Sequence, residues 1–193
     1  MHSRTTHATL LDRLATADDR AAWHEFCARY GDLIRGFMRR AGCTEDESDD
    51  LLQDVMMSLM KVMPSFRYDP AKGRFRGYLK TVVVRAIAKR RCQKRPEVPL
   101  ESGADMVDGS TVGSDELWEV EWRQYHLRMA MTAIESEFSA QDRSAFQRYA
   151  VGGGSAQETA DLLGLSVDQV YQAKSRILKR LAELIAAQVA DEG

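Results

Sequence analysis

The chain has 193 residues, a formal net charge of −2, 44% hydrophobic residues and 29% charged ones, the make-up of a soluble globular protein with one domain or two small ones. Its three cysteines, Cys27, Cys43 and Cys92, are scattered without CxxC spacing, which argues against a disulfide framework and fits a reducing cytosol. No apolar run approaches the roughly 18 residues of a membrane span, and the opening MHSRTTHATLL lacks a signal peptide's apolar segment, so a cytoplasmic protein is expected.

Four prolines, no strong β alternation and recurrent three-to-four spacings predict an all-α fold. A first helix is expected over Thr5 to Ala15, with Leu10, Leu11 and Leu14 on one side. Asp18 and Asp19 offer N-caps for a second, running to about Ala41, whose stripe is Trp23, Phe26, Cys27, Tyr30, Leu33, Ile34, Phe37 and Met38. Gly42 stands where that helix should stop. Thr44 and Glu47 form a capping box for the third helix, with an apolar face of Leu51, Leu52, Val55, Met56, Leu59, Val62 and Met63. Its first half is acidic: Glu45, Asp46, Glu47, Asp49, Asp50 and Asp54. The helix dipole accounts for Glu45 to Glu47. Asp50, Gln53 and Asp54 lie further in and can share an exposed patch with Met57, read either as a solvated face or as a binding surface.

Pro64 ends the third helix, and Pro64 to Gly73 reads as a loop. From Arg67 to Arg95 the chain carries eleven Lys or Arg and one Asp, interleaved with Tyr68, Phe75 and Tyr78 and preceded by Phe66. A basic strip attracts a polyanion and releases its counterions, and aromatics beside it can stack on unpaired bases. Nucleic acid, partly single-stranded, is the expected ligand, against the plainer reading of a solvated helix face. A fourth helix is expected from about Arg74 to about Arg95, with Phe75, Tyr78, Leu79, Val82, Val83, Ala86 and Ile87 packing inward.

Residues 96–114, PEVPLESGADMVDGSTVGS, read as a flexible linker between a domain of residues 1–95 and one of residues 115–193. From Glu97 to Glu121 there are eight acidic residues and no basic ones. Such a segment repels DNA, and it can also lie on the basic stretch in the free protein. A helix from Asp115 to about Phe138 carries Leu117, Trp118, Trp122, Tyr125, Leu127, Met129, Met131 and Ile134. Ser139 caps the next, where Phe146, Tyr149 and Val151 are expected inside, and Gly152 to Gly154 break it.

Ser155 with Glu158 and Ser166 with Gln169 are two more capping boxes, flanking a tight turn at Gly164. Two capped helices joined in this way make a helix-turn-helix, with Ala160, Leu165, Val170, Ile177 and Leu181 as its expected core. The second helix runs to about Ala190 and presents Gln169, Tyr171, Gln172, Ser175, Arg176 and Lys179 outward. Gln pairs bidentately with adenine and Arg with guanine in the major groove, whereas Lys174, Lys179 and Arg180 suit phosphates or plain solvent.

Other chemistry is thin. His24 and Cys27 have the spacing of a helical ligand pair, but no second pair exists, so a partly buried pair on the core face is expected. No nucleotide-binding loop, serine elbow or HExxH occurs, and no catalytic residue, metal or cofactor is expected.

In this order the parts resemble bacterial RNA polymerase sigma factors of the sigma-70 family, in the small two-domain extracytoplasmic-function group, over about residues 18 to 188. Asp49-Asp-Leu-Leu-Gln-Asp54 is similar to that family's acidic helix motif. The resemblance implies that Asp49, Asp50, Gln53, Asp54 and Met57 bind the clamp helices of the largest subunit of core RNA polymerase. Phe75-Arg-Gly-Tyr-Leu79 and the basic helix resemble the segment that reads and melts the minus-ten region. Phe66, Arg67, Tyr68, Lys72, Arg74, Phe75, Arg76, Tyr78, Lys80, Arg85, Lys89, Arg90 and Arg91 would then meet promoter DNA, single-stranded and duplex. Glu158-Thr-Ala-Asp-Leu-Leu-Gly-Leu-Ser166 and the helix after it resemble the minus-thirty-five reader, giving Gln169, Tyr171, Gln172, Lys174, Ser175, Arg176 and Lys179 that role. The resemblance further implies control by an anti-sigma factor or a Ser/Thr kinase.

Two positions depart from the family pattern: Arg85 stands where Asn is frequent and Lys89 where Asp is. The recognition helix has Val170-Tyr-Gln-Ala173 where Lys-Ser-Arg is commoner after the Val, implying a different upstream element. A sigma factor, not an enzyme, is the expected function. The alternatives are a helix-turn-helix regulator acting without polymerase, which leaves the acidic patch idle, and an acidic DNA-mimicking adaptor, which leaves the basic stretch unexplained.

Overall fold

The computed structural model describes residues 7–16, 19–66, 75–94 and 111–191. Among them every regular element is helical: α1 (His7–Leu14), α2 (Arg20–Arg40), α3 (Glu45–Val62), α4 (Phe75–Lys94), α5 (Thr111–Glu137), α6 (Ala140–Phe146), α7 (Ala156–Leu163) and α8 (Val167–Asp191). A 3-10 turn over Met63–Ser65 follows α3, and a π-helical turn over Gln147–Val151 continues α6. The fold class is the all-α one expected. No helix among the described residues is long and apolar enough to cross a membrane.

Side-chain caps set the helix starts. The Asp19 carboxylate accepts from the Ala22 amide at 2.9 Å and is also bound by Arg13 at 3.0 Å. Thr44 and Glu47 exchange side-chain and backbone bonds at 3.3 and 2.9 Å. Ser155 and Glu158 do the same at 3.1 Å each, and Ser166 and Gln169 at 3.2 and 2.8 Å. Each cap of this kind is worth about 1 kcal/mol. Asp18, the other expected cap of α2, lies outside the described residues. At the far end of α2, Gly42 adopts φ 90°, and the Cys43 and Gly42 amides turn back onto the Met38 and Arg39 carbonyls at 3.0 and 2.9 Å.

The chain divides into two compact units, one of residues 1–123 with 191–193 and one of residues 124–190. The division falls inside α5, which starts at Thr111, so the last residues expected in the linker are helical and the first turns of α5 belong to the first unit. In that unit α2 is the central element. Its buried Phe26, Tyr30, Leu33, Ile34, Phe37 and Met38 recur at helical spacing. The other buried rows are Leu10, Leu11 and Leu14 of α1, Leu51, Leu52, Val55 and Leu59 of α3, and Phe75, Leu79, Val83 and Ile87 of α4. Phe75 meets Phe26 at 6.1 Å, Tyr30 at 6.2 Å and Phe66 at 6.1 Å between ring centroids. Val62, expected inside, is 42% exposed because α3 ends there and gives way to the 3-10 turn.

The second unit has two small cores where one helix-turn-helix core is expected. Ile177 and Leu181 join Ala130, Ile134 and Phe146, whereas Val170 joins Ala156 and Ala160, with Leu165 packed against it. Helix length is the reason: the 8 residues of α7 reach only the start of the 25-residue α8. Val151, expected inside, is 60% exposed, since the wider π turn shifts the three-to-four register. Tyr149 stays partly buried against the Val170 cluster.

Gly164 closes α7 at φ 64°, with the Leu165 amide on the Ala160 carbonyl at 2.9 Å. A Cβ there meets nothing within 4 Å, so the cost of Gly164→Ala is conformational alone. It should destabilise the second unit by about 1–2 kcal/mol, with Gly164→Asn costing less, as read from denaturant midpoints.

Candidate nucleic-acid interface

Burying Phe75, Leu79, Val83 and Ile87 sets the rotation of α4 and sorts its cations. At about 100° per residue, Arg76 and Lys80 share one face, and Arg85 and Lys89 lie roughly 180° from Arg76.

The Arg76 face is covered. Arg76 is ion-paired with Glu119 and Lys80 with Asp115. The Arg76 guanidinium also sits 4.3 Å from the Trp122 ring centroid, a cation–π contact. Beyond these, Arg90 reaches Asp50 at 3.4 Å, Arg91 donates to the Ala41 carbonyl at 2.5 Å, and Lys94 pairs with Glu47.

The opposite face is open. Arg85 and Lys89 are exposed and have no acidic partner among the described residues. They border a groove of ≈ 510 Å³ between α3 and α4, whose other wall includes Asp54, Ser58 and Val62. Tyr78 lines it too, tilted 33° against Phe66 at 4.9 Å. Burial raises the Tyr78 phenol's pKa, with Arg85 pulling the other way, so the ring keeps its proton at neutral pH.

Phe75 does not belong with the expected DNA contacts. It is 1% exposed and offers no face to a base, so its place is under Phe66 and Tyr78, which it supports. Arg67, Tyr68, Lys72 and Arg74 lie outside the described residues.

On α3, Asp49, Asp50, Gln53, Asp54 and Met57 are all exposed. Asp49 is bound by Arg35 at 2.7 Å and Asp50 by Arg90, which leaves Gln53, Asp54 and Met57 without a partner among the described residues. Met57 is 53% exposed, and Met60, at 45%, is a second exposed apolar side chain near it on the helix. The spacing of Gln53, Met57 and Met60 is the signal for that nearness, because those positions stack on one helix face.

In the second unit α7, three connecting residues and α8 form the expected helix pair. Gln169, Tyr171, Gln172, Ser175, Arg176 and Lys179 are exposed, and Lys174 is half-buried. Several are already engaged. The Gln169 side chain caps Ser166, and Arg176 donates to Asp142 at 2.8 Å. Tyr171 meets the Tyr149 ring edge-on at 5.4 Å, and the Lys174 ammonium lies 4.8 Å from the same ring centroid. Gln172, Ser175 and Lys179 have no partner among the described residues. Arg180, weighed as a phosphate contact, instead forks onto Glu137 of α5 at 2.6 and 2.9 Å. His24 is exposed, unlike the expected core-face position, because it falls beside the α2 stripe, and Cys27 is half-buried. No group of three metal-ligating side chains occurs among the described residues.

Residues 26–96 match the family model described as sigma-70 region 2. Over 171 residues the chain is 28% identical to a protein named ECF RNA polymerase sigma factor SigM from two strains of Mycobacterium tuberculosis, covering 88% of this chain and 80% of that protein. A solved structure described as CnrH in complex with the cytosolic domain of CnrY aligns with 92% of this chain and 96% of its own, at 22% identity and a TM-score of 0.37. The matched segment spans α3, α4 and most of α2, the elements that carry the acidic patch and the basic groove. Over residues 26–96 the chain is thus similar to region 2 of sigma-70 proteins, and over most of its length to a named sigma factor.

Two carboxylates of the second unit are set to titrate low. The Arg180 guanidinium holds Glu137 below the ordinary glutamate range, and the Ser155 amide and hydroxyl do the same for Glu158. A carboxyl depressed in the folded state contributes stability that is complete above its unfolded pKa, about 4.3, and is lost as pH falls through the folded value. Thermal melts should therefore show the second unit weakening below about pH 4.3. Glu137→Gln with Glu158→Gln should flatten that acid loss; an unchanged slope would assign it to other groups.

Proposed function

We propose that this chain binds core RNA polymerase and directs it to particular promoters, helping to open the DNA. It acts by binding, in the cytoplasm where the polymerase is, and needs no cofactor. The exposed face of α3, with Asp49, Asp50, Gln53, Asp54 and Met57, meets the clamp helices of the largest subunit. The segment of residues 65–74, most of it outside the described residues, captures a flipped base of the non-template strand. Flipping costs a few kcal/mol, and stacking on an aromatic returns about 1–3 kcal/mol per base. Arg85 and Lys89 hold the backbone beside it, and α8 reads the minus-thirty-five element through Gln172 and its neighbours. Control is exerted by an anti-sigma factor or a Ser/Thr kinase.

One observation carries this reading beyond the family resemblance: the Arg85 and Lys89 cations have no acidic partner among the described residues and stand at an open groove beside the Tyr78–Phe66 ring pair. A cation kept solely for solubility has no need of an aromatic wall, whereas a nucleic-acid strand uses both. The two residues that depart from the family pattern, each more basic than its usual counterpart, thus add cations where a strand would lie. The linkage of two DNA-reading modules also raises the effective concentration of the second contact and makes promoter spacing part of specificity.

Transcription of a candidate promoter by purified core polymerase should become promoter-specific only when the protein is added. Duplex binding without such initiation would identify a plain helix-turn-helix regulator. Asp50→Ala with Gln53→Ala should weaken core binding by about tenfold in a fluorescence titration, the loss of roughly 1.4 kcal/mol of polar contact. Undiminished affinity would take that patch out of the interface. Gln172→Ala should change preference at the upstream element only, and a defect confined to melting would contradict its placement.

A further inference from the structure

The first turns of α5 cover one of the two basic faces of α4, and the contacts are specific. Trp118 is 2% exposed and meets the Phe37 ring edge-on at 5.1 Å. Glu121, also 2% exposed, accepts from the Arg40 guanidinium at 2.6 Å. Its carboxylate occupies the space over Gly36, where a Cβ would come within 2.1 Å of Oε1, so the missing side chain makes its seat. From this buried anchor the outer carboxylates reach α4, Asp115 to Lys80 and Glu119 to Arg76. Those two acids are 55% and 52% exposed, and exposed pairs of this kind are weak and screened by salt.

We infer that residues 111–123 are an intramolecular cover, in which Asp115 and Glu119 stand in for DNA phosphates on Lys80 and Arg76. The free protein then meets DNA with only the Arg85–Lys89 face of α4 uncovered. A polyanion displaces the two exposed carboxylates while the Trp118 and Glu121 anchor keeps the segment at hand to close again. Unspecific binding of the free factor is held down, and the second basic face is released where phosphate density is high. This rests on the reading of α4 as a DNA-facing helix.

The test measures binding of the full chain to a fluorescein-labelled, mixed-sequence single strand of about 20 nucleotides by anisotropy over a salt series. Asp115→Asn with Glu119→Gln removes the carboxylates paired with Lys80 and Arg76. Counterion release predicts about tenfold tighter binding near 0.15 M salt, and a slope of log affinity on log salt steeper by about 1.4. Adding Arg76→Gln and Lys80→Gln should cancel both gains, and Asp12→Asn with Glu135→Gln, which adds the same charge at exposed acids elsewhere, should produce neither. That second pair separates uncovering from a change in overall charge; gains that persist in the first or equal ones in the second would overturn the cover. Unchanged tryptophan emission checks that the anchor stays folded. Arg85→Gln with Lys89→Gln distinguishes the two readings. If that pair weakens binding while Asp115→Asn with Glu119→Gln leaves it unaltered, the cover is wrong and the DNA-facing reading of α4 stands. If neither pair alters binding, both fall.

Discussion

The rotation of α4 about its own axis is the constraint on which the first unit depends. Phe75, Leu79, Val83 and Ile87 must all leave water, and the α2 stripe offers one place for them, with Phe75 seated among Phe26, Tyr30 and Phe66. Fully burying such a side chain is worth about 1.5–3 kcal/mol, far more than any exposed ion pair on the same helix returns. Hydrophobic burial therefore decides the orientation, and the charges take the positions that remain. Arg76 and Lys80 come to lie under the start of α5, Arg90 and Lys94 against α3, and Arg85 and Lys89 at the groove. The charge pattern of the helix follows from where an apolar row leaves its neighbours.

Electrostatic pairing within the unit has the same logic. A net charge of −2 conceals one strongly basic stretch and two acidic ones, and the fold brings them together. The acidic α3 meets the end of α4 through Asp50 and Glu47, and the acidic start of α5 meets its beginning through Glu119 and Asp115. Only Glu121 among these acids is buried, and it is matched to Arg40 above a glycine. A buried carboxylate without such a partner would be costly, so this pair fixes where the segment sits. The exposed pairs around it contribute little to stability and remain free to exchange partners.

The second unit relies on local chemistry. Reciprocal caps at Ser155 and Ser166 and the left-handed Gly164 set the turn between α7 and α8 with little help from distant residues. The Arg180–Glu137 fork then ties α8 to α5, and Tyr149 supports Tyr171 and Lys174 on the outer side of α8. Gln172, Ser175 and Lys179 are left without a partner among the described residues.

The helices were legible in the chain because their determinants are local: capping boxes at Thr44, Ser155 and Ser166, glycines at 42 and 164, and apolar rows at three-to-four spacing. The acidic face of α3 and the outward residues of α8 were legible for the same reason, since helical spacing alone decides which side chains share a face. What spacing could not decide is which partner a charge finds. That Phe75 is a buried support, that Arg76 and Lys80 are occupied by acids 43 and 35 residues away, and that Val62 and Val151 emerge at helix ends all depend on contacts between distant segments. The sequence by itself determined the helices and their faces, because caps and periodicity act within a few residues. Tertiary structure alone decided which cations are left without an acidic partner among the described residues, because that follows from the packing of α4 between α2, α3 and the first turns of α5.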